Sequence, residues 1–169
     1  MNFKSPLIAL ALSAVGMAAS AADYTIPGTL PFDPAVFSQS VTVDATGLFT
    51  DYFKFEVAPL TGDVSASSSQ VNLVPLWIEN IHVDLLASDK STVINIGQDG
   101  PGYSYIDAFA GLTVGSTYYF RVSGDATGSA GGSYDFIATA TPVPEPSTYA
   151  LLAAGLGAIG FVARRRKQA

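Results

Sequence analysis

The chain has 169 residues, with 14 Asp and Glu against 8 Lys and Arg, one His and no Cys. The length implies a single domain with appendages. The missing Cys excludes disulfide scaffolds, thiolate metal sites, Cys nucleophiles and CxxC redox motifs, and one His excludes a His-rich zinc site. In chain order, the first segment is a leader: Lys4 near the start, an apolar run from Leu7 to Ala19, then the small residues Ala19, Ser20 and Ala21. A basic start, a short apolar segment and a small-x-small pattern define a secretory signal peptide. The expected signal helix lies within residues 1–22, with the cut after Ala21 or Ala22.

The body, residues 23–142, reads as strands. Its acids are eleven Asp with Glu56 and Glu79, and its bases are Lys54, Lys90 and Arg121, thirteen against three, a net charge of −10. Nucleic-acid binding needs the opposite sign, so no nucleic-acid partner is expected. Strand candidates, in order, are Ser40–Asp44, Tyr52–Val57, Val64–Leu73, Trp77–Leu85, Thr92–Ile96, Tyr103–Phe109, Tyr118–Ser123 and Tyr134–Ala138. Phe53, Phe55 and Val57 alternate with Lys54 and Glu56. Tyr118, Phe120 and Val122 alternate with Tyr119, Arg121 and Ser123. Trp77, Ile81, Val83 and Leu85 keep one parity, with Glu79 as the exception that marks a strand start or bulge. Gly, Asp and Ser clusters such as Thr61–Asp63, Ala87–Asp89, Gln98–Gly102 and Gly124–Gly132 supply the turns. The expected fold is all-β, a jelly-roll-like β-sandwich of seven to nine strands with inward aromatics.

The tail, residues 143–169, has three parts: Pro144-Glu145-Pro146, an apolar run from Tyr149 to Ala163, and the basic tip Arg164, Arg165, Arg166 and Lys167. Pro146 and Ser147 suit a helix start. The apolar run has fifteen residues, about 22 Å of helix against a hydrocarbon core of about 30 Å. Snorkelling by Arg164 and interfacial seating of Tyr149 narrow that gap, giving a transmembrane helix with its basic end cytoplasmic. Within it, Gly155-Leu156-Gly157-Ala158-Ile159-Gly160 fits GxGxxG, but with no preceding strand and no downstream acid the dinucleotide reading is rejected.

The tripartite tail resembles the sorting signal of PEP-CTERM proteins, and Pro144, Glu145, Pro146, Arg164, Arg165, Arg166 and Lys167 carry the likeness. The resemblance implies processing by an exosortase, an integral-membrane protease, with loss of the helix and basic tip. Together with the leader it implies signal peptidase and the Sec translocon as partners, transient residence in the inner membrane, and delivery to the cell surface or extracellular matrix. Phe49, Asp51 and Phe53, within Phe49-Thr50-Asp51-Tyr52-Phe53, resemble the motif of the FxDxF family of such proteins. Residues 49–141 are also similar to bacterial pre-peptidase C-terminal jelly rolls, through the strands Asp51–Val57 and Tyr118–Gly124 and the closing Gly132–Phe136. That likeness implies a fold, not a chemistry.

Chemistry is thinly signalled. His82 has the parity opposite to the apolar face and reads as a solvent-facing strand residue, and no Gly-x-Ser-x-Gly elbow supplies it with a nucleophile. Asp84, Asp89, Asp99, Asp107 and Asp125 flank turns where a hard cation could gather oxygens, with Asp99 and Asp84 foremost, yet none has EF-hand spacing. Asp51 reads as fold-specifying through hydrogen bonds to backbone N–H groups. The expectation is a non-catalytic protein without cofactor or metal, structural or adhesive in exopolysaccharide-associated, biofilm-like material. The alternative is a carbohydrate- or Ca²⁺-binding surface module.

Overall fold

The computed structural model of the protein describes residues 20–30, 36–58, 61–142 and 146–166. Most of the expected leader, and with it the signal helix, lies outside the described residues. Among the described residues the chain forms β1 (Ser20–Leu30), β2 (Val36–Val43), β3 (Gly47–Val57), β4 (Thr61–Gln70) and β5 (Ile78–Leu86). There follow β6 (Val93–Ile96), β7 (Gln98–Gly100), β8 (Tyr103–Phe109), β9 (Thr117–Ala126), β10 (Gly132–Pro142) and the helix α1 (Pro146–Arg166). The strands build two five-stranded sheets, ordered β1-β3-β9-β5-β6 and β2-β10-β4-β8-β7. From β1 to β5 each connection crosses from one sheet to the other, so the core is closed by strands distant in sequence. β1 runs parallel to β3, and the other neighbours pair antiparallel.

Period-two patterning decides which side chains meet between the sheets. Along β3, Phe49, Asp51, Phe53, Phe55 and Val57 are buried, whereas Leu48 on the other parity is exposed. Phe120 and Val122 of β9 and Ile81, Val83 and Leu85 of β5 complete that sheet's inner face. The opposing sheet supplies Val41, Val64, Ile106, Tyr134, Phe136 and Ala138. At the centre, the ring of Phe136 stacks on Phe53 with centroids 3.9 Å apart, and Phe120 lies 5.8 Å away. The all-β sandwich expected from the patterning is therefore what the chain forms.

The strand number differs: among the described residues there are ten rather than seven to nine. β1 escapes the pattern because its first residues belong to the expected leader and because Pro27-Gly28 breaks its alternation, where the register with β3 shifts between Thr25 and Thr29. β7 is three residues inside a turn-rich stretch, held by pairing with Tyr103–Tyr105 of β8. Trp77 is a second correction. It is 42% exposed, while Ile78 beside it is fully buried. Between Glu79 and His82 the register with β9 shifts by one residue, a bulge at Asn80 and Ile81, so residues before and after it face inward on opposite parities.

Asn80 holds this bulge in the left-handed region, with φ 53°. Asn tolerates that region and β-branched residues do not. Asn80→Val is expected to lower stability by about 1–2 kcal/mol, and Asn80→Gly to leave it nearly unchanged. Thermal melts of the two variants check this.

Candidate functional site

Two clusters of polar side chains are built into the sandwich. The first surrounds Asp51. Because Asp51 shares the inward parity of Phe49 and Phe53, its carboxylate enters the core and is only 2% exposed. The Tyr134 hydroxyl donates to Oδ2 at 2.6 Å, and the Ala22 N–H donates to Oδ1 at 2.9 Å. The flanking aromatics are stacked: Phe49 on Tyr134 with centroids 5.5 Å apart, and Tyr24 on Phe53 at 4.8 Å. Burial raises the Asp51 carboxyl above the usual carboxylate range, and the bonds from Tyr134 and Ala22 partly oppose that. Burial, reinforced by Asp51, also raises the Tyr134 phenol, so Tyr134 stays a donor. Phe49, Asp51 and Phe53 thus join β1, β3 and β10, with no face open to a ligand.

The second cluster centres on His82. It follows the bulge on β5 and shares a face with Asp84, two residues on. Nε2 donates to Asp84 Oδ1 at 2.9 Å, and Nδ1 donates to Asp99 Oδ1 of β7 at 2.6 Å. Both partners are carboxylates, which accept, so the two contacts favour the doubly protonated ring. Burial alone would lower the His82 pKa; the bonds and charges of Asp99 and Asp84 outweigh it and the net shift is upward. Burial would raise Asp99, but the bond from His82 turns its net shift downward. Asp84, 2% exposed, also receives Arg121 of β9 through Nε at 3.1 Å and through Nη2. Asp84 and Arg121 are direct cross-strand partners. Ser104 Oγ accepts the Val83 N–H at 3.1 Å, and a Cβ on Gly97 would collide with the Val83 carbonyl. That close approach lets the β6–β7 link pass near β5 and bring Asp99 to His82.

His82 is therefore not the free, solvent-facing residue expected; its side chain is 25% exposed and held at both nitrogens. Asp84 and Asp99, the foremost cation candidates, do converge, but the group that bridges them is His82, and Asp84 is further paired with Arg121. Asp89 instead closes a turn, accepting the Ser91 and Thr92 N–H groups, and Asp107 accepts from Gln98 Nε2. Among the described residues no group of three or more His, Asp or Glu side chains is arranged to hold a metal ion. Sequence reasoning did not assign Arg121, Tyr134, Ser104 or Ala22 to either cluster. The signals available were Arg121 as the lone Arg of the body and Tyr134 at the parity of Phe136.

Beside the second cluster lies a cleft of about 430 Å³, lined by Gln70, Glu79, Asn80, Asp99 and Pro101 among others. Asp99 belongs to both. The cleft's ionisable groups are the carboxylates Glu79 and Asp99, and no Ser, Thr, Cys or Lys lines it.

The tail forms α1, which begins at Pro146 and runs through Arg164, Arg165 and Arg166; Pro144, Glu145 and Lys167 lie outside the described residues. Leu151, Leu152, Leu156 and Ile159 are all exposed. Among the described residues no helix is long and apolar enough to cross a membrane. The expected transmembrane helix is thus a helix, but its apolar run falls short of a full span by length, about 22 Å against about 30 Å. Residues 142–167 match the PEP-CTERM protein-sorting motif. The chain carries a PEP-CTERM sorting tail. Such a tail marks an exported protein, sent toward the cell surface and processed by an exosortase.

No curated protein matches the chain. Among solved structures it is similar to PliG of Aeromonas hydrophila, a periplasmic lysozyme inhibitor of g-type lysozyme, at 12% identity and a TM-score of 0.43. The match covers 73% of this chain and all of that one. A likeness at that level says nothing about activity.

Proposed function

We propose that the sandwich is a non-catalytic, structural and adhesive module of exopolysaccharide-associated surface material, delivered there by its PEP-CTERM tail. The sorting tail is the observation that carries this reading. On it, a signal peptidase removes the leader after Sec export, Leu151–Ala163 tethers the chain briefly in the inner membrane, and exosortase cuts near Pro144-Glu145-Pro146. Loss of both ends strips off every base except Lys54, Lys90 and Arg121. What is delivered is a body of net charge −10, soluble and suited to cations or cationic polymers. A structural role for His82 is consistent with the non-catalytic reading, because both of its ring nitrogens are engaged by carboxylates, Asp84 and Asp99.

Mass spectrometry of the C-terminus of the protein recovered outside the cell tests the delivery. The expected result is a chain ending near Pro144–Pro146, and full retention of α1 in a strain without exosortase. Replacing Pro144, Glu145 and Pro146 together by Ala is expected to abolish processing. A surface-located chain still bearing Arg164–Lys167 would sink the reading. For adhesion, removing the gene is expected to reduce retention of exopolysaccharide on the cells.

The rival reading, a carbohydrate-binding module, is supported by the polar cleft at Gln70, Glu79 and Asn80. A rise in melting temperature with an added matrix oligosaccharide, lost in Glu79→Ala, would favour it.

A further inference from the structure

Asp51 is a buried carboxylate without a counter-ion. Its two donors, Tyr134 and Ala22, are neutral, and among the described residues no Lys, Arg or His pairs with it. A carboxylate in the core that lacks a cation is costly even when hydrogen-bonded. The position of its second donor is informative. The nitrogen 2.9 Å from Oδ1 belongs to Ala22, and the peptide bond that it forms is with Ala21, the last residue of Ala19-Ser20-Ala21.

We propose that removal of the leader after Ala21 creates the missing cation: the new α-ammonium of Ala22 forms a buried salt bridge with Asp51 that fastens β1 to β3 in the exported domain. This inference rests on the signal-peptide reading given above. In the cleavage, water breaks the Ala21–Ala22 C–N bond, its hydroxyl going to the Ala21 carbonyl and its proton to the Ala22 nitrogen. The acid formed on Ala21 ionises at neutral pH, and that proton completes the ammonium. The nitrogen already sits within hydrogen-bond distance of Oδ1, so a neutral N–H···O bond becomes a charge-assisted one in place.

The pairing of β1 survives the cut. Ser20 and Ala21 leave their partners Phe49 and Thr50, but Ala22 stays opposite Asp51, Asp23 opposite Tyr52 and Tyr24 opposite Phe53. The new terminus is held from the next residue too, since Asp23 pairs with Lys90 Nζ at 2.6 Å and Lys90 lies over the rings of Tyr52 and Tyr119. The geometry also separates the two cleavage positions. A cut after Ala22 would carry away the very nitrogen that Asp51 binds, and would put the ammonium on Asp23, whose strand parity is opposite. Cleavage after Ala21 is the one that completes the core, and the precursor, lacking the ammonium, holds β1 less firmly than the exported form.

The test treats the full chain in detergent with bacterial signal peptidase, sequences the new N-terminus, and compares thermal melts before and after cleavage for the wild type and Asp51→Asn. The expected result is an N-terminus at Ala22 and a melting temperature that rises on cleavage by about 5 °C more in the wild type than in Asp51→Asn, the difference isolating the pair. Selective acetylation of the α-amine in the cleaved wild type is expected to abolish the rise, and decides the matter if Asp51→Asn does not fold. No cleavage, or a cut elsewhere, overturns the leader reading. A cut after Ala21 followed by equal shifts in both chains, or by no loss on acetylation, overturns the salt bridge alone.

Discussion

Replacing Phe136 by Ala is expected to lower the unfolding free energy by about 3–5 kcal/mol, the cost of truncating a large aromatic in a packed core. Phe136 is fully buried on β10, and its ring meets Phe53 and Phe120 of the opposite sheet and Phe37 of its own. The cavity would open between the two sheets, where rigid strands relax poorly. A domain of this size has about 5–15 kcal/mol of total stability, so the loss takes about a fifth of it or more. Ile137→Ala, one residue on and 41% exposed, is the control, with an expected loss below about 1 kcal/mol. Urea denaturation of both variants gives the comparison. Equal losses at the two positions would mean that the sheets do not pack through Phe136.

The parity of Phe53, Phe120 and Phe136 is legible because alternation is local: each strand states its own buried face within six residues. The partners of Asp51 are not legible in the same way. Ala22 and Tyr134 lie 29 and 83 positions away along the chain. Their meeting depends on which strands become neighbours, and the cross-sheet connections from β1 to β5 are not encoded by periodicity. Asp84 shows a related failure. It reads as a turn-flanking acid, yet it lies mid-strand opposite Arg121, 37 residues on, a register set only when β5 and β9 pair. The parity of Trp77 misleads for a local reason, since one bulge between Glu79 and His82 inverts the parity of everything before it. The sorting tail is read with ease because it acts as a linear signal, recognised by order and composition rather than by a folded surface.

Replacing Arg121 by Leu is expected to cost about 2–3 kcal/mol, less than the 3–5 kcal/mol of a fully buried pair because the Arg121 side chain is 31% exposed and water replaces part of its role. The damage arises at Asp84, 2% exposed, which loses both guanidinium bonds. Among the described residues His82 is then its one remaining cationic partner, and this gives the prediction a pH signature. A histidine whose folded pKa is raised contributes stability that is complete below its unfolded value, about 6.5, and that is lost as pH climbs through the folded value. Asp99, depressed in the fold, contributes above its unfolded value, about 3.9, and that part is lost as pH falls through the folded value. The His82–Asp99 pair therefore supports the fold best between about pH 4 and pH 6.5. In Arg121→Leu the decline above pH 6.5 should steepen, because a deprotonated His82 leaves Asp84 with no positive partner at all. Double replacement of Arg121 by Leu and Asp84 by Leu should recover much of the loss, since removing the buried charge together with its partner avoids the unpaired state. Melting temperatures from pH 4 to pH 9 on the wild type and both variants decide the case. A single replacement with a flat profile, or a double replacement no better than the single, would show that the buried carboxylate is not what Arg121 neutralises.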